Sequence, residues 1–297
     1  PLRPVSPYAA SKVAADFLTN KSAEADVRAL METDEGYDPA VWSQMAEQLG
    51  LQGLAIPEEY GGSGYSYVEL CVIFEEMGRR LLCAPFFSTV ALAANALLHS
   101  GDDDAKARYL PGIASGETIA TVAFTEENGR WDESGIEMEA AASDQGHTLT
   151  GTKSYVIDGH IASLILVAAR TPEGVSLFAV DGDASGLGRT PLSTMDQTRK
   201  QAKLDFDNTP ATLIGAAGSG WDTLRTMLQL AVVALASEQM GGAQECLDSA
   251  VQYAKDRVQF GRPIGSFQAI KHKLADMLLE VESGKSAAYY SSWCAAE

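Results

Sequence analysis

The stretch Arg257-Val-Gln-Phe-Gly-Arg-Pro-Ile-Gly-Ser-Phe-Gln-Ala-Ile-Lys-His-Lys-Leu-Ala-Asp-Met277 decides how the C-terminal part of the chain is read. Gly261-Arg262-Pro263 is a turn, because proline lacks the amide a helix needs and glycine accepts backbone angles other residues avoid. Before it, Trp221 to about Phe260 reads as one very long helix, with the uncharged stretch Thr226–Ser237 buried on most sides. After it, a second helix is predicted from near Ser266 to the end, and Ala287–Glu297 carries no Gly, no Pro and no C-cap. Two long antiparallel helices do not bury their apolar faces alone, so these residues are expected to form an incomplete bundle.

Working back along the chain, the periodicity changes. Ile119–Phe124, His147–Ile157, Leu164–Ala169, Val175–Val180 and Ala202–Phe206 are short β-type runs punctuated by Gly, Asp and Pro. No long helical pattern lies between them, which excludes a βαβ sheet and predicts an antiparallel barrel or sandwich. From Ser22 to about Gly116 the pattern is helical again. Val41, Trp42, Met45, Leu49 and Leu51 mark one helix, and Val68–Met77 marks another. Asp102-Asp-Asp104 is the acidic start of a short helix running to Tyr109 and ended by Pro111-Gly112. The fold class is therefore α+β, mainly α: a helical N-terminal domain over 1–117, a β-domain over 118–216 and an incomplete four-helix bundle over 217–297.

The 297 residues are 46% hydrophobic, enough for a sizeable core, and carry 22 Lys plus Arg against 40 Asp plus Glu, a net charge of −18. That balance argues against nucleic acid and anionic membrane as partners, since both need a basic surface. Cys71, Cys83, Cys246 and Cys294 have no zinc-like spacing, and three of the four sit in apolar stretches that predict buried thiols. With four histidines and no HExxH, no metal is expected. Leu81–Leu98 is uncharged but interrupted by Pro85, Ser88, Thr89 and Asn95, and reads as a buried helical hairpin rather than a membrane span. A cytoplasmic protein is expected.

Several segments carry a family resemblance. Leu49-Gly-Leu-Gln-Gly-Leu-Ala-Ile-Pro-Glu-Glu-Tyr-Gly-Gly-Ser-Gly64 and Phe74-Glu-Glu-Met-Gly-Arg79 resemble the N-terminal domain of acyl-CoA dehydrogenases. Gly151-Thr-Lys-Ser-Tyr-Val-Ile-Asp-Gly159 resembles the segment passing beside the flavin, and Met195-Asp-Gln-Thr-Arg199 another stretch of the same domain. Arg257–Met277 is the most specific match. The resemblance implies three domains, FAD as cofactor, and α,β-dehydrogenation of an acyl-CoA thioester, in which a carboxylate takes the α-proton and the flavin takes hydride. It also implies an electron-transfer flavoprotein or similar acceptor and a homo- or hetero-oligomer, because the family's flavin sites lie between subunits.

By the same resemblance, Arg257, Phe260 and Gln268 stand where family members contact FAD, the arginine reaching the pyrophosphate of a neighbouring subunit. Residues 253–285 hold six Lys or Arg against four Asp or Glu, in an otherwise acidic chain. The family's A-L-T-E-P-x-x-G-S-D appears as Ala123-Phe-Thr-Glu-Glu-Asn-Gly-Arg-Trp-Asp132, which places Phe124 and Thr125 at the cofactor and puts Trp131 where a substrate-contacting Ser is usual. The flavin-side Trp-Ile-Thr appears as Tyr155-Val156-Ile157, and Ile157 has no hydroxyl to donate. On the first long helix the usual Asp-x-x-Arg is Gln229-Leu-Ala-Val232, so Gln229 and Val232 mark the substrate side without the ion pair.

No catalytic base is assigned. One family position corresponds to Ala231, Glu238 lies two turns beyond it, and the alternative position falls in C-terminal helices the sequence does not contain. Two readings follow: an acyl-CoA dehydrogenase whose base lies in the missing helices, or a non-catalytic, half-site subunit of a heteromeric dehydrogenase such as those of steroid side-chain degradation. Separately, Ser6-Pro-Tyr8-Ala-Ala-Ser-Lys12 resembles the YxxxK helix of sugar-nucleotide epimerases. No Gly-rich nucleotide loop accompanies it, and no epimerase chemistry is expected.

Overall fold

The computed structural model describes residues 7–143 and 146–297, with side chains from Lys12 onward. In chain order the first helices are α1 (Pro7–Lys21), α2 (Glu24–Met31), α3 (Pro39–Glu47) and α4 (Tyr67–Arg80). Their ends follow the sequence. Asp38 caps α3 by accepting from the amides of Ala40 and Val41, with Pro39 at the first position. Ser66 and Glu69 form a capping box on α4. The epimerase-like segment falls on α1; Ser6 and the side chain of Tyr8 lie outside the described residues.

Leu81–Leu98 is not a hairpin. Leu81 ends α4 in the left-handed region, 82–85 is irregular, and the buried eight-residue π-helix Phe87–Ala94 then runs into α5 (Asn95–Leu98). The next helix, α6 (Asp103–Ala114), passes through Pro111 instead of stopping at Tyr109. Leu110 and Ile113 are both fully buried, and that packing outweighs the missing proline amide.

The strands are β1 (Ala120–Ala123), β2 (Glu139–Ser143), β3 (Gly146–Ile157), β4 (Leu164–Thr171), β5 (Gly174–Asp181), β6 (Leu187–Leu192) and β7 (Gln201–Ile214). Most ladders are antiparallel: β2–β3, β3–β7, β6–β7, β5–β7 and β4–β5. The sheet is nevertheless mixed, a correction to the purely antiparallel expectation. β1 pairs parallel with β4 over four residues, and β2 meets β4 through Glu139 and Arg170. The physical reason is connectivity: some forty residues separate β1 from β4, so no tight hairpin forces them to run opposite.

The C-terminal elements are α7 (Gly220–Asp256), a two-residue pair β8 (Val258–Gln259) and β9 (Arg262–Pro263), and α8 (Gln268–Ala296). α7 is not buried on most sides. One stripe, Leu224, Met227, Ala231 and Ala234, is buried, while Val232 is 65% exposed. Of the cysteines only Cys71 and Cys83 are buried; Cys246 and Cys294 are exposed, and all four are free thiols.

Contacts divide the chain into two compact units. The larger holds 25–65 and 83–231; the smaller holds the described part of 4–24, with 66–82 and 232–297. Within the larger unit, Trp42 donates from Nε1 to the Gly116 carbonyl at 2.8 Å, and Asp102 accepts from the Gly215 amide at 2.9 Å. Thr89 accepts from the Ala120 amide and fixes the start of β1. Within the smaller unit, buried Glu75 of α4 takes Lys285 and Tyr289 of α8, each at 2.7 Å.

Candidate functional site

The larger unit brings five of the predicted residues together. β1 delivers Phe124 and Thr125 at its C-terminal end, both buried. The Thr125 carbonyl accepts from the Ser154 amide at 2.8 Å, and the Thr121 hydroxyl donates to the Ile157 carbonyl at 2.6 Å, so 154–157 lies alongside. Trp131 returns over Phe124, edge-on, with ring centroids 5.3 Å apart. Its loop is knitted by polar groups: Asn128 accepts from the Arg130 amide, Arg130 pairs with Asp132, and Asp132 accepts from the Ser134 amide. Trp131 is 67% exposed and Tyr155 60%, so the strand end carries two open aromatic faces.

Tyr155 owes its exposure to a bulge. Between Lys153 opposite Leu204 and Val156 opposite Ala202, β3 has one residue more than β7. Tyr155 (φ 57°) and Asp158 (φ 53°) both adopt left-handed backbone. Two buried charges flank them. Lys153 donates to Glu126 at 2.6 Å, and Glu126 also accepts from the amides of Glu137 and Met138. The Ser88 hydroxyl donates to Asp158 at 2.6 Å. Burial pulls the Lys153 ammonium below its usual range against the pull of Glu126, and burial pushes the Asp158 carboxyl up to about 6 despite Ser88 and Arg199.

The smaller unit gathers Arg257, Phe260 and Gln268. Phe260 (φ 53°) and Gly261 (φ 74°) form the tip between β8 and β9, the two-residue turn in which both φ angles are positive. Phe260 is 92% exposed and meets Phe267 edge-on at 6.1 Å. The Arg257 backbone is held at both ends, its amide by Tyr253 and its carbonyl by the Ile264 amide. Its guanidinium is exposed and has no side-chain partner among the described residues. Gln268 is exposed at the first position of α8. On α7, Gln229 and Val232 are exposed, and Ala231 is buried.

Sequence reasoning missed the two buried anchors. Lys153 carried a readable signal: with Leu149 it occupies the inward register of β3, where a lysine is tolerated only with a buried partner. Among the described residues no group of three or more His, Cys, Asp or Glu is placed to hold a metal ion, and no helix is long and apolar enough to cross a membrane.

Three family profiles match in order: "Acyl-CoA dehydrogenase, N-terminal domain" over 9–117, the "middle domain" over 121–209 and the "C-terminal domain" over 218–297. The chain belongs to the acyl-CoA dehydrogenase family. This dehydrogenase is 36% identical over 265 residues to the acyl-CoA dehydrogenase IpdE2 of Mycolicibacterium smegmatis, covering 89% of this chain and 70% of the relative. It is 32% identical to the mitochondrial isovaleryl-CoA dehydrogenase of Solanum tuberosum, covering 85% and 64%. Among solved structures, a steroid acyl-CoA dehydrogenase variant superposes with TM-score 0.86 at 33% identity, covering 98% of this chain and 77% of that one. The ChsE4-ChsE5 complex from Mycobacterium tuberculosis gives 0.85 at 27%, covering 97% and 77%. The family is one of flavoprotein oxidoreductases of lipid metabolism, whose reaction is the α,β-dehydrogenation of an acyl-CoA thioester.

Proposed function

We propose that this chain serves FAD-dependent dehydrogenation as one subunit of an oligomer, with its Arg257–Gln268 segment completing a cofactor site on a neighbouring subunit. The observation that carries this is the hairpin tip: an exposed phenylalanine in left-handed backbone, with the Arg257 guanidinium, unpartnered among the described residues, and the exposed Gln268 amide in the same short segment. Those groups fit a flavin dinucleotide. Arg257 supplies a fork for diphosphate oxygens, Phe260 a ring face, and Gln268 a donor and an acceptor. On the chain's own middle domain, Phe124, Thr125, Tyr155 and Ile157 flank the ring system and Trp131 faces the acyl-CoA; on α7, the family resemblance assigns a substrate-side role to Gln229 and to Val232. Bound FAD supplies the hydride acceptor for the β-hydrogen. The domain limits 1–117, 118–216 and 217–297, the β-barrel or sandwich and the incomplete four-helix bundle belong to the same reading, and the order of the three matched profiles supports the three-domain division. Electrons leave to an electron-transfer flavoprotein or similar acceptor.

A second reading has specific support. Ile157 offers no hydroxyl, Val232 is an exposed aliphatic residue where a cation is usual, and Trp131 fills a serine's place. The similar structures include a complex of two different chains, ChsE4-ChsE5. Both favour a half-site subunit of a heteromeric dehydrogenase acting on a steroid-derived acyl-CoA, with this chain donating Arg257 to its partner's FAD.

The test is the visible spectrum of the purified chain after incubation with excess FAD and desalting. A retained flavin band that weakens in Arg257→Ala is expected for a self-sufficient oligomer. A folded, colourless protein sinks that reading; FAD retained only with a partner chain, and lost with Arg257→Ala, establishes the half-site one.

A further inference from the structure

Simple alternation along β3 puts Tyr155 on the same face as Lys153, which is fully buried. The bulge turns Tyr155 out instead, at the expense of two left-handed non-glycine residues within four positions. Such backbone persists only where its surroundings over-determine it. The surroundings here are specific. Lys153, two residues before Tyr155, is tied to Glu126, one residue after Thr125 on the neighbouring segment. Asp158, three residues after Tyr155, is tied to Ser88 of the π-helix, and its amide donates to the Lys200 carbonyl. The Ser154 amide, freed from the β7 ladder, is taken by Thr125.

Energy alone does not account for these anchors, because apolar replacements of buried ion pairs are often neutral or stabilising. Their placement does. We propose that Lys153 with Glu126, and Asp158 with Ser88, are paired positioning residues that lock the turn 154–158 so that Tyr155 and Ile157 are presented, already ordered, to the flavin. Preorganisation of this kind spares the ligand the entropy of ordering the loop. The inference rests on the FAD reading above for its ligand, but the locking of the turn is measurable without any cofactor.

The experiment compares amide hydrogen exchange across 153–158 and FAD affinity, each in the oligomer or complex that binds FAD, for wild type, E126Q/K153M, D158A and D158N. The glutamine keeps an oxygen for the Glu137 and Met138 amides, and the asparagine keeps one for Ser88. E126Q/K153M and D158A are expected to exchange about tenfold faster in the turn and bind FAD about tenfold more weakly, with D158N close to wild type. Unchanged exchange overturns the proposal, as does loosened exchange with full FAD affinity. If a variant fails to fold, S88A decides: it removes the hydroxyl that holds Asp158 and touches no flavin-side residue, so faster exchange across 153–158 with weaker FAD binding supports the proposal, and unchanged exchange or undiminished binding overturns it. A wild type that takes up no flavin in any assembly sinks the cofactor reading instead, and the exchange comparison then decides the lock alone.

Discussion

The indole of Trp131 stands edge-on against the Phe124 ring, planes at 90° and centroids 5.3 Å apart. The Arg130–Asp132 ion pair brackets it, so the exposed ring is held by its loop rather than lying where it falls. In the proposed function this ring occupies the substrate side.

Trp131→Ser is therefore expected to leave the fold intact, costing about 0.5–1.5 kcal/mol for the lost aromatic pair. It should tighten acyl-CoA binding about tenfold by opening volume and restoring a hydroxyl. Calorimetric titration with an acyl-CoA reads this directly. Unchanged or weaker binding removes Trp131 from the substrate site.

Asp158 makes stability depend on pH in a defined direction. Its carboxyl is pushed from 3.8 up to about 6, first by burial, with Ser88 and Arg199 pulling the other way. The folded protein thus holds a proton that the unfolded chain has already released. Its contribution is fully present below about pH 4 and is lost as pH rises through 6. Asp158→Asn lacks this titration, and the difference between the two unfolding curves should open between pH 4 and 6. Above that it should level at no more than about 3 kcal/mol in favour of the asparagine. Parallel curves across the window would refute the assignment.

Glu75 is buried on α4 with Lys285 on one oxygen and the Tyr289 phenol on the other. Burial, then the hydrogen bond and charge of Glu75, push the Tyr289 phenol up to about 12. Spectrophotometric titration of the ten tyrosines should show a late component that moves toward 10 in Glu75→Gln. Lys285→Ala strands the buried carboxylate and is expected to cost roughly 2–4 kcal/mol, with Glu75→Gln added to it recovering part. Full additivity of the two substitutions would mean the pair is not coupled.

Much of the architecture was legible because period and composition agree. β4 and β5 are continuous apolar runs that are buried almost end to end. The strands that were missed lack that signal. β2 reads Glu-Ala-Ala-Ala-Ser, mostly exposed, and exists because it pairs with β3 over five positions. β6 contains Gly188 and Pro191 and, among the described strands, pairs with β7 alone, an edge where a missing amide costs little. At the site, the residue types were legible through the family resemblance, but the bulge was not. A one-residue register shift leaves no mark on hydrophobicity, yet it alone decides that Tyr155 faces outward.

The packing of α4 on α7 in the smaller unit turns on backbone proximity that hydrophobic patterning does not report. A Cβ at Gly241 would lie 1.8 Å from the Glu75 carbonyl oxygen and 2.8 Å from the Arg79 nitrogen, both main-chain atoms that no rotamer change can move. A Cβ at the adjacent Gly242 meets only the Gly78 carbonyl oxygen, at 3.6 Å. Both glycines lie inside α7, where alanine is the better helix former by about 1 kcal/mol. Gly242→Ala should therefore stabilise the protein by up to about 1 kcal/mol. Gly241→Ala must push the two helices apart and should cost about 3 kcal/mol or more. Urea unfolding of the two single variants distinguishes these signs. Equal effects at both positions would show that the close approach of α4 and α7 is not what selects glycine at 241.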